Sequence, residues 1–184
     1  MQDTIRCRWA NPKNPLYIEY HDNEWGVPVH DDKGFFEMLV LEGFQAGLSW
    51  ECILNKREAF RKAFDGFDPT IVCEYTEEKL AALRQNPEIV RNRLKISAAV
   101  QNAKVFLKIT EEYGSFENYL HTFTGGEIIY ETNTVSSPLS DAVSSDLKRR
   151  GMRFVGTVII YSFLQAVGVV NSHEHGCFLH KDNV

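Results

Sequence analysis

Between Lys33 and Ala46, the positions Phe35, Met38, Leu39 and Glu42 follow one another at intervals of 3, 1 and 3, which puts all four on one face of an α-helix. Asp31 and Asp32 stand where its N-cap belongs. Ser49 precedes a second helix that stops near Asp65-Gly66, and Asp68-Pro69 joins a cap to a proline at the first helical position. Asn86-Pro87 repeats that signal before a long helical segment ending near Thr110. Tyr113-Gly114-Ser115 then breaks the helix and caps a short one. The stretch from Thr124 to Pro138, rich in Gly, Ser, Thr and Asn, reads as the longest loop. Two further helices, Ser140 to Arg150 and Thr157 to about Val169, flank Gly151-Met152-Arg153-Phe154-Val155-Gly156. One short strand pair is conceivable around Glu127 to Glu131, and it is discounted. The pattern predicts an all-α fold without internal repeats.

Composition narrows what such a fold does. A chain of 184 residues makes one domain with a sizeable core, and 43% hydrophobic with 24% charged residues is the balance of a soluble folded protein. No run approaches the roughly 20 apolar residues of a membrane helix, and MQDTIRCRWA lacks the apolar core of a secretion signal. A cytoplasmic protein with no membrane partner is expected. Four cysteines are too few for a disulfide scaffold, so the question they raise is metal binding.

The net charge of −5 argues against a nucleic-acid partner until its distribution is considered. From Tyr17 to Glu42 there are seven acids and one base, Lys33. From Ile89 to Thr110 there are five bases and no acid, and from Leu147 to His173 four bases and no acid. Such segregation builds either a basic face suited to phosphates or two solvated helix faces.

Several clusters carry chemistry. The hairpin from Gly151 to Gly156 has a glycine at each end for a tight turn and close backbone approach, Phe154 and Val155 as apolar anchors, and Thr157 opening a helix. Free N–H groups at a helix start bind phosphate without reading sequence. With Lys148, Arg149, Arg150 and Arg153 beside it, the element has the look of a helix-hairpin-helix motif; the plainer alternative is an αα-hairpin with a glycine stop. Cys7 and His21 near one end, with His173, His175 and Cys177 near the other, offer two thiolates and two imidazoles. That set suits a closed, structural zinc site, with the choice between His173 and His175 open on spacing alone. Cys52 and Cys73 read as small core residues. Glu42 is a carboxylate on an apolar stripe, costly unless a structural cation or a cationic ligand meets it. Trp9, Tyr17, Tyr20, Trp25 and Trp50 crowd the same part of the chain, with flat faces for stacking a heterocycle or for packing a core. In Gln45-Ala46-Gly47-Leu48-Ser49, the Gly-Leu pair can push an apolar wedge into a base stack.

These residues resemble the bacterial DNA-3-methyladenine glycosylase I family of the helix-hairpin-helix superfamily. The matching text comprises Asn14 to Gly26, Leu41-Glu42-Gly43, Gln45 to Trp50, Lys148 to Gly156, and Val170-Asn171 with His173 and Cys177, nearly the whole chain. The resemblance implies a single glycosylase domain over 1–184, with a helical core at about 28–170 and termini (about 1–27 and 170–184) tied together by one structural zinc on Cys7, His21, His173 and Cys177. It implies a monomer that flips and excises 3-methyladenine from double-stranded alkylated DNA, leaving an abasic site. Glu42 and Tyr20 would hydrogen-bond the base, Trp50 and Trp9 stack on it, and Gly47 and Leu48, beside Gln45, enter the gap in the duplex. Gly151, Arg153, Phe154, Gly156 and Thr157 would meet the DNA backbone. Two positions depart from the pattern: Phe44, where Gln is expected, changes a DNA contact beside Leu48, and Ser172, where Asp is common, alters the support of the zinc ligands.

From Leu147 to Lys181 the one acid is Glu174, between the metal candidates, so no strong catalytic carboxylate is expected beyond the hairpin. The substrate makes that tolerable. Methylation at N3 makes adenine cationic and a good leaving group, and less catalytic help is needed. The competing readings are a non-enzymatic DNA-binding protein, a zinc hydrolase, which two Cys and two His argue against, and a glycosylase for another alkylated base.

Overall fold

Side-chain caps set most helix starts in the computed structural model, which describes residues 4–182; the domain limits at 1 and 184 lie outside the described residues. Helix α1 (Pro15–Asn23), absent from the pattern reading, opens with Pro15 at its first position and Asn14 accepting from Leu16 N–H. In α2 (Asp32–Gln45), Asp31 Oδ1 accepts from Gly34 N–H at 2.8 Å. Every residue of α2 from Phe35 to Phe44 is buried. The helix is therefore enclosed on all sides, and the stripe carrying Glu42 is one part of a fully covered cylinder. It packs against α3 (Trp50–Leu54), α7 (Arg93–Tyr113), α8 (Phe116–Thr124) and α10 (Thr157–Ala166).

Three expectations need correction. The helix after Ser49 is broken after α3 and resumes as α4 (Arg57–Ala63), followed by a 3₁₀ turn at Asp65–Phe67. Burial supplies the reason, because Phe60 and Phe64 pack their rings on Phe44 at 4.8 and 5.8 Å. The long helix α7 starts at Arg93, not after Asn86-Pro87. Asn86 Oδ1 accepts from Glu88 N–H in a local turn, and Asn92 Oδ1 takes the N–H groups of Leu94 and Lys95. The discounted strand exists: β1 (Ile129–Tyr130) pairs in parallel with β2 (Val170–Asn171), a partner 41 residues away, Ile129 opposite Val170.

The remaining helices are α5 (Pro69–Val72), capped by Asp68, α6 (Glu77–Gln85), capped by Thr76, and α9 (Pro138–Arg149). In α9, Ser137 and Ser140 cap each other's backbone, so this helix begins two residues before Ser140. The described residues are thus mostly helical, with ten α-helices and one two-residue strand pair. None of these helices is long and apolar enough to cross a membrane.

Candidate active site

A cleft of about 360 Å³ opens where α1, α2, α3 and α10 converge, lined by Trp9, Tyr17, Tyr20, Trp25, Trp50 and Glu42, among others. The aromatic residues collected from separate elements thus line one wall system. The Tyr20 and Trp50 rings lie 5.3 Å apart, and Trp9 sits 5.4 Å from Tyr17 and edge-on to Trp25 at 4.8 Å. Glu42 enters from the last turn of α2. It is 3% exposed, and no group among the described residues donates to its Oε2. Burial pushes its carboxyl up to about 8. Burial, and then the neighbouring Glu42, also hold the Tyr20 phenol well above its ordinary range, so it stays protonated as a donor.

Glu42 contrasts with Glu37 on the same helix. Glu37 Oε1 accepts from Arg57 Nε at 2.6 Å and from Arg61 Nε at 2.9 Å, and Arg57 also donates to Glu24. The guanidinium groups that could neutralise a buried acid are thus spent on Glu37, and Glu42 faces the cleft without one.

Ser172, expected beside the metal ligands, lines the cleft, as do residues outside the sequence reading: Asn133, Thr134 and Val135 from the long loop and Ser162 and Gln165 from α10. No period or motif marks them; they arrive through chain reversal. Glu174 lines the cleft as well, which the reading of the region beyond the hairpin did not anticipate, but its Oε2 accepts from Arg8 N–H at 2.9 Å and Arg8 Nε at 3.3 Å. Phe44 is 1% exposed within the phenylalanine cluster, so its side chain makes no contact beside Leu48.

Cys7, His21, His173 and Cys177 come together, all buried, with their ligand atoms within 4.8 Å of one another. Cys7 Sγ and Cys177 Sγ each lie 3.6 Å from His173 Nδ1, and Cys177 Sγ lies 3.5 Å from His21 Nε2. Tetrahedral zinc, with bonds of about 2.3 Å to sulfur and about 2.0 Å to nitrogen, holds S and N about 3.5 Å apart. The outer ring nitrogens are held too: His21 Nδ1 by Asp22 at 2.7 Å and His173 Nε2 by the Trp25 carbonyl at 3.2 Å. The support comes from these groups and not from residue 172; Ser172 Oγ is 3.3 Å from the Tyr161 hydroxyl. The cluster joins the two ends of the described chain and fits a metal ion.

Beside α2 lie two surface elements. Gly47 takes φ +81° in the turn after α2, and Leu48 at its tip is 40% exposed. In the hairpin between α9 and α10, Gly151 requires φ +102°, and Phe154 holds the left-handed conformation at φ +55°. Gly156 has an ordinary φ of −63°, and a Cβ there would meet nothing within 4 Å, so the chain's own turn does not demand this glycine. No side chain caps α10, and the Thr157 hydroxyl is taken by Ser140 at 2.9 Å. Arg153 is exposed, whereas Arg150 is committed to Asp146 and Glu112 at 2.6 Å each and stacks on Tyr113 and Tyr119. Arg149 also pairs with Asp146.

A helical scaffold that gathers aromatic faces around one unneutralised carboxyl is the architecture of a base-recognising glycosylase. A crystal structure of 3-methyladenine DNA glycosylase I matches with TM-score 0.91 and 46% identity, covering 96% of this chain and 100% of that one. A variant of 3-methyladenine DNA glycosylase I in complex with 3-methyladenine matches with TM-score 0.89 and 36% identity, covering 94% and 95%. The chain belongs to the methyladenine glycosylase family, whose model matches residues 9–180. DNA-3-methyladenine glycosylase 1 of Escherichia coli (strain K12) is 45% identical over 97% of this chain and 98% of that protein.

Proposed function

We propose that the whole chain works as one domain, a monofunctional DNA-3-methyladenine glycosylase that hydrolyses the N-glycosidic bond of 3-methyladenine in double-stranded DNA and leaves an abasic site. The observation that carries this reading is Glu42, buried at the edge of an aromatic cleft with no cation beside it. A buried carboxyl of that kind prefers the neutral form in the empty cleft. A cationic base entering the cleft reverses the preference, because the ion pair forms where water is scarce. Glu42 and Tyr20 engage the edge of the base and Trp50 and Trp9 its faces. Unmodified adenine brings no charge and keeps a strong glycosidic bond, so selectivity comes from charge complementarity and leaving-group quality.

Reaching the lesion requires extruding it, at a cost of a few kcal/mol that is smallest for damaged bases. Leu48, presented by Gly47 and flanked by Gln45, fills the gap in the stack. The hairpin of Gly151, Arg153, Phe154 and Gly156, with the uncapped start of α10 at Thr157, holds the phosphate backbone as a helix-hairpin-helix element. The space beside Gly156 suits close backbone approach. Cys7, His21, His173 and Cys177 hold one zinc ion, which supplies structural cross-linking and no open coordination position. The enzyme acts as a cytoplasmic monomer.

The deciding experiment is release of free base from methylated duplex DNA. Wild-type protein is expected to release 3-methyladenine; Glu42→Gln is expected to lose release while duplex affinity stays nearly intact. Turnover at the wild-type rate in that variant rejects the mechanism.

A further inference from the structure

The wedge turn and the hairpin are far apart in sequence, and one helix holds both. Lys95 and Asn102 in α7 are seven residues apart, about two turns, and so share a face. Lys95 is 7% exposed, and its Nζ donates to the carbonyl oxygens of Phe44 at 2.8 Å and Ala46 at 2.6 Å, at the end of α2 and the start of the wedge turn. Among the described residues no carboxylate forms an ion pair with it. Asn102 is 5% exposed and clasps the hairpin backbone at Arg153, donating from Nδ2 to the carbonyl at 2.9 Å and accepting from N–H at Oδ1 at 2.8 Å. The Phe154 ring lies 5.9 Å from Lys95 Nζ, and a Cβ on Gly43 would come within 3.6 Å of Phe154 Cβ, so α2 and the hairpin also meet directly. Neither Lys95 nor Asn102 lines the cleft.

A buried ammonium facing two carbonyls and an aromatic ring, with no carboxylate, is an expensive way to fill space, and an apolar side chain would do so at lower cost. What the ammonium adds is a fixed position for the carbonyls of α2, whose last turn has no basic residue of its own. We propose that Lys95 and Asn102 are positioning residues for DNA engagement: together they set the spacing between Leu48 and the hairpin, so that the wedge enters the base stack of the same duplex segment whose backbone the hairpin holds. This rests on the glycosylase reading and on the wedge and hairpin roles given above. With the spacing set, the second contact follows the first at high effective concentration; without it, each element binds almost alone.

The test compares two ligands of the full-length protein. Lys95→Met keeps the stem and removes the donors; Asn102→Leu does the same at the hairpin end. Duplex affinity and KM for methylated duplex are measured beside the affinity for free 3-methyladenine, read by tryptophan fluorescence, which also reports an intact cleft. Each variant is expected to weaken duplex binding about tenfold, the scale of losing one or two charged or paired hydrogen bonds, with free-base affinity and kcat unchanged. Combining Lys95→Met with Leu48→Ala is expected to weaken duplex binding no further than the stronger single change, since Lys95 acts through Leu48. Asn102→Leu with Arg153→Ala gives the same readout if Lys95→Met does not fold. Unchanged duplex affinity, additive losses, or an equal loss of free-base affinity overturns the proposal. If Leu48→Ala and Arg153→Ala themselves leave duplex affinity unchanged, the wedge and hairpin roles fail and the proposal with them; if they weaken it while Lys95→Met and Asn102→Leu do not, the positioning role alone fails.

Discussion

Glu37 and Glu42 occupy the same buried helix and differ in one respect, the presence of a cation. Glu37 is neutralised by Arg57 and Arg61, while Glu42 is pushed up to about 8 by burial alone. Two outcomes follow at this scale. The carboxylate is the form that meets a cationic base, so kcat/KM on 3-methyladenine is expected to rise with pH, about tenfold per unit below 8, and to level off above it. A pH–rate profile checks this, and a flat profile between pH 6 and about 8 contradicts it. Stability runs the other way. The unfolded carboxyl ionises near 4.5 and the folded one near 8, so the folded state binds more protons between those values and loses stability as pH rises through them. Glu42→Gln removes that penalty and is expected to raise stability at pH 8 by about 2–3 kcal/mol, measured by denaturant unfolding. An acid on an apolar face was legible from residue spacing; its isolation was not, because the choice of partner for Arg57 and Arg61 is made between elements far apart in sequence.

At the scale of elements, the hairpin divides the basic residues that the charge pattern had grouped together. Arg150 is a strut whose ion pairs tie α9 to the end of α7, and Arg153 is exposed with its backbone held by Asn102. Arg150→Ala is expected to lower the unfolding temperature modestly by cutting the tie from α9 to Glu112 of α7, while Asp146 keeps Arg149 and the Tyr119 hydroxyl. Arg153→Ala is expected to leave stability unchanged and to reduce the salt dependence of duplex binding by about one counterion. Thermal unfolding and binding titrations at several salt concentrations separate the two. Helix caps written in the local sequence, such as Asp31, Ser115 and Asp68, were legible because the cap bonds to its own next turn. The start of α7 was misplaced because Asn86 and Asn92 offer the same local chemistry, and only packing selects between them.

Across the whole molecule, the Cys/His cluster draws the two ends of the described chain together, and the β1–β2 pair joins segments 41 residues apart. Trp9 follows two residues after Cys7 and lies 5.2 Å from the His21 ring, so the cluster also braces one wall of the cleft. Cys7→Ser and Cys177→Ser are each expected to abolish stoichiometric zinc and to lower the unfolding temperature by several degrees, with loss of free-base affinity following from release of Trp9. Elemental analysis with calorimetry tests this; full zinc content in either variant refutes the ligand set. The amino-acid sequence by itself determined the helical class, the helix caps at Asp31, Ser49, Asp68 and Ser115, the acid on an apolar stripe near many aromatics, and a Cys/His set with the choice between His173 and His175 left open. Each of these follows from residue chemistry or from neighbours within a turn or two. Tertiary structure alone decided that Glu42 lacks a cation, that the loop at Asn133 to Val135 completes the cleft, that β1 pairs with β2, and that α7 clasps both the end of α2 and the hairpin. Those outcomes depend on contacts between segments tens of residues apart, where several partners of equal chemistry compete and packing chooses among them.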